Sequence, residues 1–151
     1  MLEAMRTRRW PAGLLTGAIV VIAGCSTAGP PSAGAPVDTV AQGTRTSEGG
    51  EVTAAVTWKG PAAGALFSVQ LDTHSLDLDG LDLADAILRN DRGETMAARP
   101  WTAPKDGHHR TGELAFAGDS SGFFVSARWI EVVLPNVGGL PERVLHWDVG
   151  K

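Results

Sequence analysis

The sequence predicts an all-β domain, an antiparallel β-sandwich of about seven short strands, placed after a signal peptide and a disordered tether. Two observations predict the sandwich. From Glu51 onward, apolar side chains alternate with polar ones at period two, the mark of half-buried strands. Clusters of Gly, Pro, Asn, Asp and Ser separate these short runs, as turns between strands require. The only helical candidate is a turn near Leu81–Ala86.

The elements follow in order. Val52, Ala54, Val56 and Trp58 share one face of a first strand, and Lys59-Gly60-Pro61 turns the chain. Phe67, Val69 and Leu71 share a face of the next. Ile87-Leu88-Arg89 and Thr95-Met96-Ala97 flank Asn90-Asp91-Arg92-Gly93, a hairpin turn with Gly in the left-handed position. Leu114 and Phe116 alternate in the following strand, and Gly118-Asp119-Ser120-Ser121-Gly122 then turns the chain into a strand at Phe123–Val125. Ile130, Val132 and Leu134 continue the pattern. Leu145, Trp147 and Val149 close it and leave His146 on the other face. Two packed antiparallel sheets of immunoglobulin-like type are the default way to bury so many half-apolar strands in about 100 residues.

The N-terminus has a different texture. Arg6, Arg8 and Arg9 form a basic head, and Leu14 to Ile22 form an apolar run broken by Thr16 and Gly17. Small residues then lead to Cys25, the only cysteine. A basic head, a short apolar run and a small-residue processing site define a secretory signal. The run is far short of the roughly 20 residues that span a bilayer as a helix. Ile22-Ala23-Gly24-Cys25 resembles the lipobox of bacterial lipoproteins. That resemblance implies a diacylglyceryl group on the Cys25 sulfur, cleavage just before Cys25, and further acylation (palmitate-type chains) of the new amino group. The alternative is a plain secretory signal in which Cys25 is incidental.

The expected organisation is therefore a signal peptide over 1–24, lipidated Cys25 with a linker over 25–50, and a β-sandwich over 51–151. Residues 26–50 are Ser, Thr, Ala, Gly and Pro with almost no large apolar side chain, too few to offset the entropy of ordering them. Such a tether reaches roughly 25–30 Å from the membrane. Two or more acyl chains hold a protein stably at a bilayer without spanning it. The expected location is the extracytoplasmic side of a bacterial cell membrane.

Charge excludes some partners. The chain carries net −4, and loss of residues 1–24 removes three Arg and one Glu, leaving net −6. A negative surface disfavours nucleic acid and electrostatic adhesion to anionic lipid. With Cys25 used by the anchor, no disulfide and no cysteine metal or redox site remains.

Three constellations could carry chemistry. Asp72, Asp77, Asp79, Asp82 and Asp85 crowd one stretch with His74, and carboxylate clusters suit hard cations such as Ca²⁺. The EF-hand spacing fails there, since Leu88 stands where the bidentate Glu belongs, and a solvated loop of turn-capping Asp residues is the plainer reading. Gly107-His108-His109-Arg110 offers imidazoles, the commonest transition-metal ligands. One of these histidines with His74 and Asp72 would make a three-ligand Cu or Zn site with an open position. Alternatively, His108 and Arg110 pair with the acidic loop and fix its shape. Gly118-Asp119-Ser120-Ser121-Gly122 matches Gly-x-Ser-x-Gly, but a hydrolase needs a helix after it, and strand-like sequence follows. Trp58, Trp129 and Trp147 read as core, while Trp101, between Pro100 and Pro104, reads as exposed and open to a ligand.

The Leu71-Asp72-Thr73-His74-Ser75 block, Leu88-Arg89 with Gly93, the Gly107-His108-His109-Arg110-x-Gly112-x-Leu114-x-Phe116 block, and Gly139-Leu140-Pro141-Glu142-Arg143 with Trp147 are similar to a family of bacterial envelope proteins with a small immunoglobulin-like domain. The resemblance spans about residues 51–150 and carries no catalytic roles. It marks His74, His108 and His109 for attention. The expected function is a non-enzymatic, membrane-anchored binding or scaffolding module that meets an envelope protein partner. The alternative is a Cu- or Zn-binding envelope module using His74 with His108 or His109.

Overall fold

A computed structural model describes residues 43–149. The expected signal peptide, Cys25 and residues 26–42 of the expected linker lie outside the described residues. The described chain runs β1 (Gly43–Ser47), β2 (Val52–Trp58), β3 (Leu66–Thr73), β4 (Ile87–Asn90), β5 (Thr95–Ala97), β6 (His109–Ala115), α1 (Ser120–Val125), β7 (Trp129–Pro135) and β8 (Glu142–Asp148). A short 3-10 turn sits at Pro61–Ala63.

Two four-stranded antiparallel sheets form, in the orders β1-β2-β3-β6 and β5-β4-β7-β8. The all-β sandwich expected from the alternation is thus present, with eight described strands. Three consecutive strands share the first sheet, whereas the immunoglobulin order sends the third strand to the opposite sheet.

Alternation decides what faces inward. Val52, Ala54, Val56 and Trp58 of β2, with Phe67, Val69 and Leu71 of β3, enter the core from one sheet. Leu88, Ile130, Val132, Leu134, Leu145 and Trp147 meet them from the other. Each Val, Leu, Ile or Phe among them contributes about 1.5–3 kcal/mol by leaving water. Aromatic rings link the layers. Phe67 of the first sheet lies 5.5 Å from Trp147 of the second and meets Phe116 edge-on at 5.6 Å. The hairpin between β4 and β5 turns as expected, with Gly93 at φ 79°.

Two expectations are corrected. The stretch read as a tether through residue 50 contains β1, so the fold begins by Gly43 rather than Glu51. β1 has no large apolar side chain, which hid it. Its order comes from pairing with β2, Gly43 opposite Trp58 through Ser47 opposite Ala54. Donors from β8 add to that: Trp147 Nε1–H to the Gly43 carbonyl (2.8 Å) and Arg143 Nη1 to the Ser47 carbonyl (2.9 Å).

The second correction is Phe123–Val125, which is helical. Asp119 N-caps α1 by accepting from the Ser121 N–H at 2.9 Å. The Ser121 hydroxyl and backbone hydrogen bonds hold the Asp119 carboxyl below its usual pKa. Asp is among the best N-cap residues. The short helix turns Phe123 inward and stacks Phe124 on Trp58 at 5.4 Å.

The free edge of β6 is covered by the segment 99–103. The Arg99 N–H donates to the Ala115 carbonyl at 2.7 Å, and the Thr102 N–H to the Glu113 carbonyl at 3.3 Å. An edge covered in this way is protected from pairing with another chain.

Candidate functional site

The residues singled out by sequence gather at the end of the first sheet, where β3 leaves and β6 begins. Asp72 pairs with His109 across the two strands. Arg110 alternates inward and is 5% exposed. Its guanidinium donates to four backbone carbonyls: Leu78 and Leu81 (both 2.7 Å), and Ala103 and Pro104 (both 3.0 Å). It also lies over the Trp101 ring, 4.5 Å from the centroid. A planar fork with five donors suits such a multi-carbonyl cradle. The acidic loop on one side and the 99–105 segment on the other are thereby folded around one buried cation.

The Asp residues of that loop cap turns. Asp77 Oδ1 accepts from the Asp79 N–H (2.9 Å), Asp82 Oδ1 from the Ala84 N–H (3.0 Å), and Asp79 Oδ1 from the Gly107 N–H (3.0 Å). The Asp77 and Asp82 bonds are local Asx bonds of the kind that stabilise turns, whereas the Asp79 bond ties the loop to Gly107, 28 residues away. The loop is held by carbonyls and capping rather than by ion pairs from Arg110 to its carboxylates.

The histidines take separate partners. His109 Nδ1 lies 2.7 Å from Asp72 Oδ1, whose other oxygen accepts from Gln70 Nε2 at 2.8 Å. His108 Nδ1 lies 2.7 Å from the Leu76 carbonyl. A carbonyl only accepts, so the His108 proton sits on Nδ1. His74 is exposed just past the end of β3 and lines a shallow cleft of about 220 Å³ with Glu51 and Asp72. The structure therefore brings Asp72 and His109 together but does not assemble the expected three-ligand set. Among the described residues, no group of three or more His, Cys, Asp or Glu side chains is placed to hold a metal ion. The physical reason is that His108 precedes β6 and turns to the acidic loop, while His109 stands in the strand beside Asp72.

Trp101 departs from expectation. It is 9% exposed rather than open, because the guanidinium of Arg110 and the covering segment enclose it. It also lines a cleft of about 310 Å³ with Asp79, Leu81, Asp82, Lys105 and Arg110. Sequence gave no signal for the Arg110–Trp101 stack, since an arginine after two histidines reads as surface charge.

The Gly-x-Ser-x-Gly segment opens α1, so the strand expected after it is absent. The serine of the motif is Ser120; the Ser121 hydroxyl beside it donates to Asp119 Oδ1 at 2.6 Å and belongs to the helix cap. Among the described residues no histidine hydrogen-bonds Ser120 or Ser121.

A second polar cluster lies on the outer face of the other sheet. Arg89 Nε meets Glu131 Oε2 at 2.7 Å, and His146 lies 3.1 Å from Glu131 and 3.2 Å from Asp148. Burial works against ionisation of Glu131, but hydrogen bonds from Arg89 and His146 outweigh it and hold the carboxyl below its usual value. Burial likewise works against protonation of His146, and its bonds to Glu131 and Asp148 outweigh that and raise it.

No family model, no curated protein and no solved structure matches this chain.

Proposed function

We propose that this chain is a lipid-anchored protein of the bacterial cell envelope whose β-sandwich is a non-enzymatic binding module. The observation that carries the anchor is the placement of the only cysteine at the close of Ile22-Ala23-Gly24-Cys25, after a basic head and an apolar run too short to span. Among the described residues, no helix is long and apolar enough to cross a membrane. Support for binding comes from the loop cluster around Arg110. A guanidinium satisfied by four carbonyls fixes two loops on a rigid sheet and leaves a charged cleft between them. Sites on a rigid frame bind without a large ordering cost.

Labelling a producing bacterium with radioactive palmitate tests the anchor. Label is expected in the membrane fraction and is expected to vanish with Cys25→Ser. Unlabelled protein in the soluble fraction, equal for both forms, overturns the reading.

A further inference from the structure

We infer that the end of the sandwich where β1 begins rests on the bilayer, with Val125 and the Pro61–Ala63 turn in the headgroup layer and the acidic loop turned away. The inference rests on the lipid anchor proposed above and adds a second, non-covalent contact with the same membrane.

Strand register sorts the surface into two ends. Gly43 pairs with Trp58, Trp58 with Phe67, Leu66 with Ala115 and Trp129 with Asp148. Trp147 Nε1 donates to the Gly43 carbonyl, so both sheets contribute to this end. Ser47, Val52, Thr73, His109 and Glu142 lie at the other end, where Arg143 Nη1 donates to the Ser47 carbonyl. α1 and the Pro61–Ala63 turn belong to the Gly43 end. Phe124 stacks on Trp58 at 5.4 Å, and a Cβ on Gly64 would sit 2.8 Å from the Ser120 Oγ.

The Gly43 end presents apolar side chains. Val125 is 81% exposed, and Pro61, Ala62 and Ala63 are exposed beside α1. The half-buried Trp129 and the exposed Lys59 and Arg128 belong to the same end. Tryptophan and long cationic side chains are what membrane interfaces select. The carboxylates of this end are engaged. Asp91 pairs with Arg128 at 2.8 Å, Glu94 with Arg92, and Asp148 with His146 at 3.2 Å, while Asp119 caps α1.

The other end carries Glu51, Asp72, Asp77, Asp79, Asp82 and Glu142, with Lys105 exposed among them. Arg110 and Arg143 are buried there on carbonyl oxygens, so their donors are not offered to headgroups. Anionic lipid repels such an end. The net negative charge thus disfavours adhesion of the whole surface, while its uneven placement orients the domain.

Chain length selects the lipid surface as the occupant. Residues 26–42 separate Cys25 from Gly43. As a tether they span roughly 20–25 Å, and that span ends at the apolar end. The acidic end lies a further strand away, roughly 23 Å for a strand the length of β2. The anchor holds the apolar end beside the bilayer at high effective concentration, so a contact as small as one valine and one turn is enough.

The test uses the full lipidated chain in bilayer discs of phosphatidylethanolamine and phosphatidylglycerol that carry a gadolinium-chelating lipid. Amide broadening is read in ¹⁵N spectra, and the acyl chains are confirmed by mass. Strong broadening of Ala62, Ala63, Phe124 and Val125, with little at residues 77–82, is the expected result. Val125→Asp changes a solvent-facing side chain, and a thermal melt confirms that it folds. It is expected to lower the docking equilibrium about tenfold, whereas Val125→Leu is expected to preserve it. All three forms carry the same lipid, so a tether alone predicts no difference between them. Equal broadening at both ends, or broadening unchanged by Val125→Asp, overturns docking and leaves the anchor standing. Shifts at Val125 that follow protein concentration and not lipid mean a face between copies, and also overturn it. A mass without acyl chains overturns the anchor, and docking with it.

Discussion

The guanidinium of Arg143 joins Ser47, 96 residues upstream, to the last strand of the domain. It donates to the Ser47 carbonyl at 2.9 Å, to the Gly49 carbonyl at 2.7 Å and to the Val137 carbonyl at 3.2 Å. The side chain is 1% exposed, and burial lowers its pKa from the ordinary arginine value. Its partners are neutral oxygens. Arg110 does the same at the other loop cluster, so two buried guanidiniums tie the loops of this sandwich.

Arg143→Met is expected to destabilise the domain by about 2–4 kcal/mol, since several buried carbonyls lose a charged donor at once. Arg143→Lys is expected to recover less than half of that, because one ammonium on a flexible stem cannot reproduce the fork. Chemical denaturation measures both. Hydrogen exchange is expected to show β1 losing protection first. Equal protection of Gly43–Ser47 in variant and parent would separate Arg143 from β1.

Arg110→Met is expected to loosen the acidic loop more than the core. The bonds lost lead to Leu78, Leu81, Ala103 and Pro104, all in loops. Limited proteolysis is expected to cut between residues 77 and 85 at least tenfold faster, with the sheets resisting, because cleavage follows the population of the locally open form. Cleavage spread evenly over the domain would mean that Arg110 supports the whole fold.

Gly112 shows how closely the covering segment lies on β6. A Cβ there would sit 2.5 Å from the Ala103 Cα and 2.5 Å from its backbone nitrogen. Backbone cannot give way as a flexible side chain can, so Gly112→Ala is expected to cost about 1–3 kcal/mol. It is also expected to expose the β6 edge, with faster aggregation on heating. Unchanged melting and aggregation would show that 99–103 lifts away freely.

What the sequence revealed follows from what period-two alternation can carry. Val52 to Trp58 and Ile130 to Leu134 place apolar side chains on one face, and their strands are where the pattern puts them. β1 carries Thr and Arg in place of apolar residues, so its order comes from Trp147 and Arg143 about 100 residues away. Phe123 and Phe124 look like strand residues, but Asp119 caps a helix too short to show a 3.6-residue period. Arg143 is the larger blind spot, since hydropathy assigns a guanidinium to the surface unless its carbonyl partners are known; the pairing of Arg110 with the acidic loop was legible, but not its burial or its carbonyl partners. Trp101 was misplaced for the same reason, its cover being Arg110. The Asp72–His109 pair was half visible, because the residues were recognised and their cross-strand register was not.

His146 makes part of the stability depend on pH, with a sign fixed by its neighbours. Glu131 and Asp148 raise its pKa above the ordinary 6.5. A raised folded-state value means that protonation and folding support each other, so this contribution is complete below about 6.5 and fades as pH rises through the folded value. Glu131 is shifted down from 4.5, so its contribution is present above 4.5 and is lost as pH falls through its folded value. The two overlap fully between about 4.5 and 6.5. The His146 side chain is 44% exposed, and solvent screening keeps the effect below about 1 kcal/mol. The stability difference between the parent and His146→Gln is therefore expected to be larger near about pH 6 than near about pH 8.5. Denaturant midpoints at the two pH values measure it. A difference that grows with pH would show that burial, not Glu131 and Asp148, governs the imidazole.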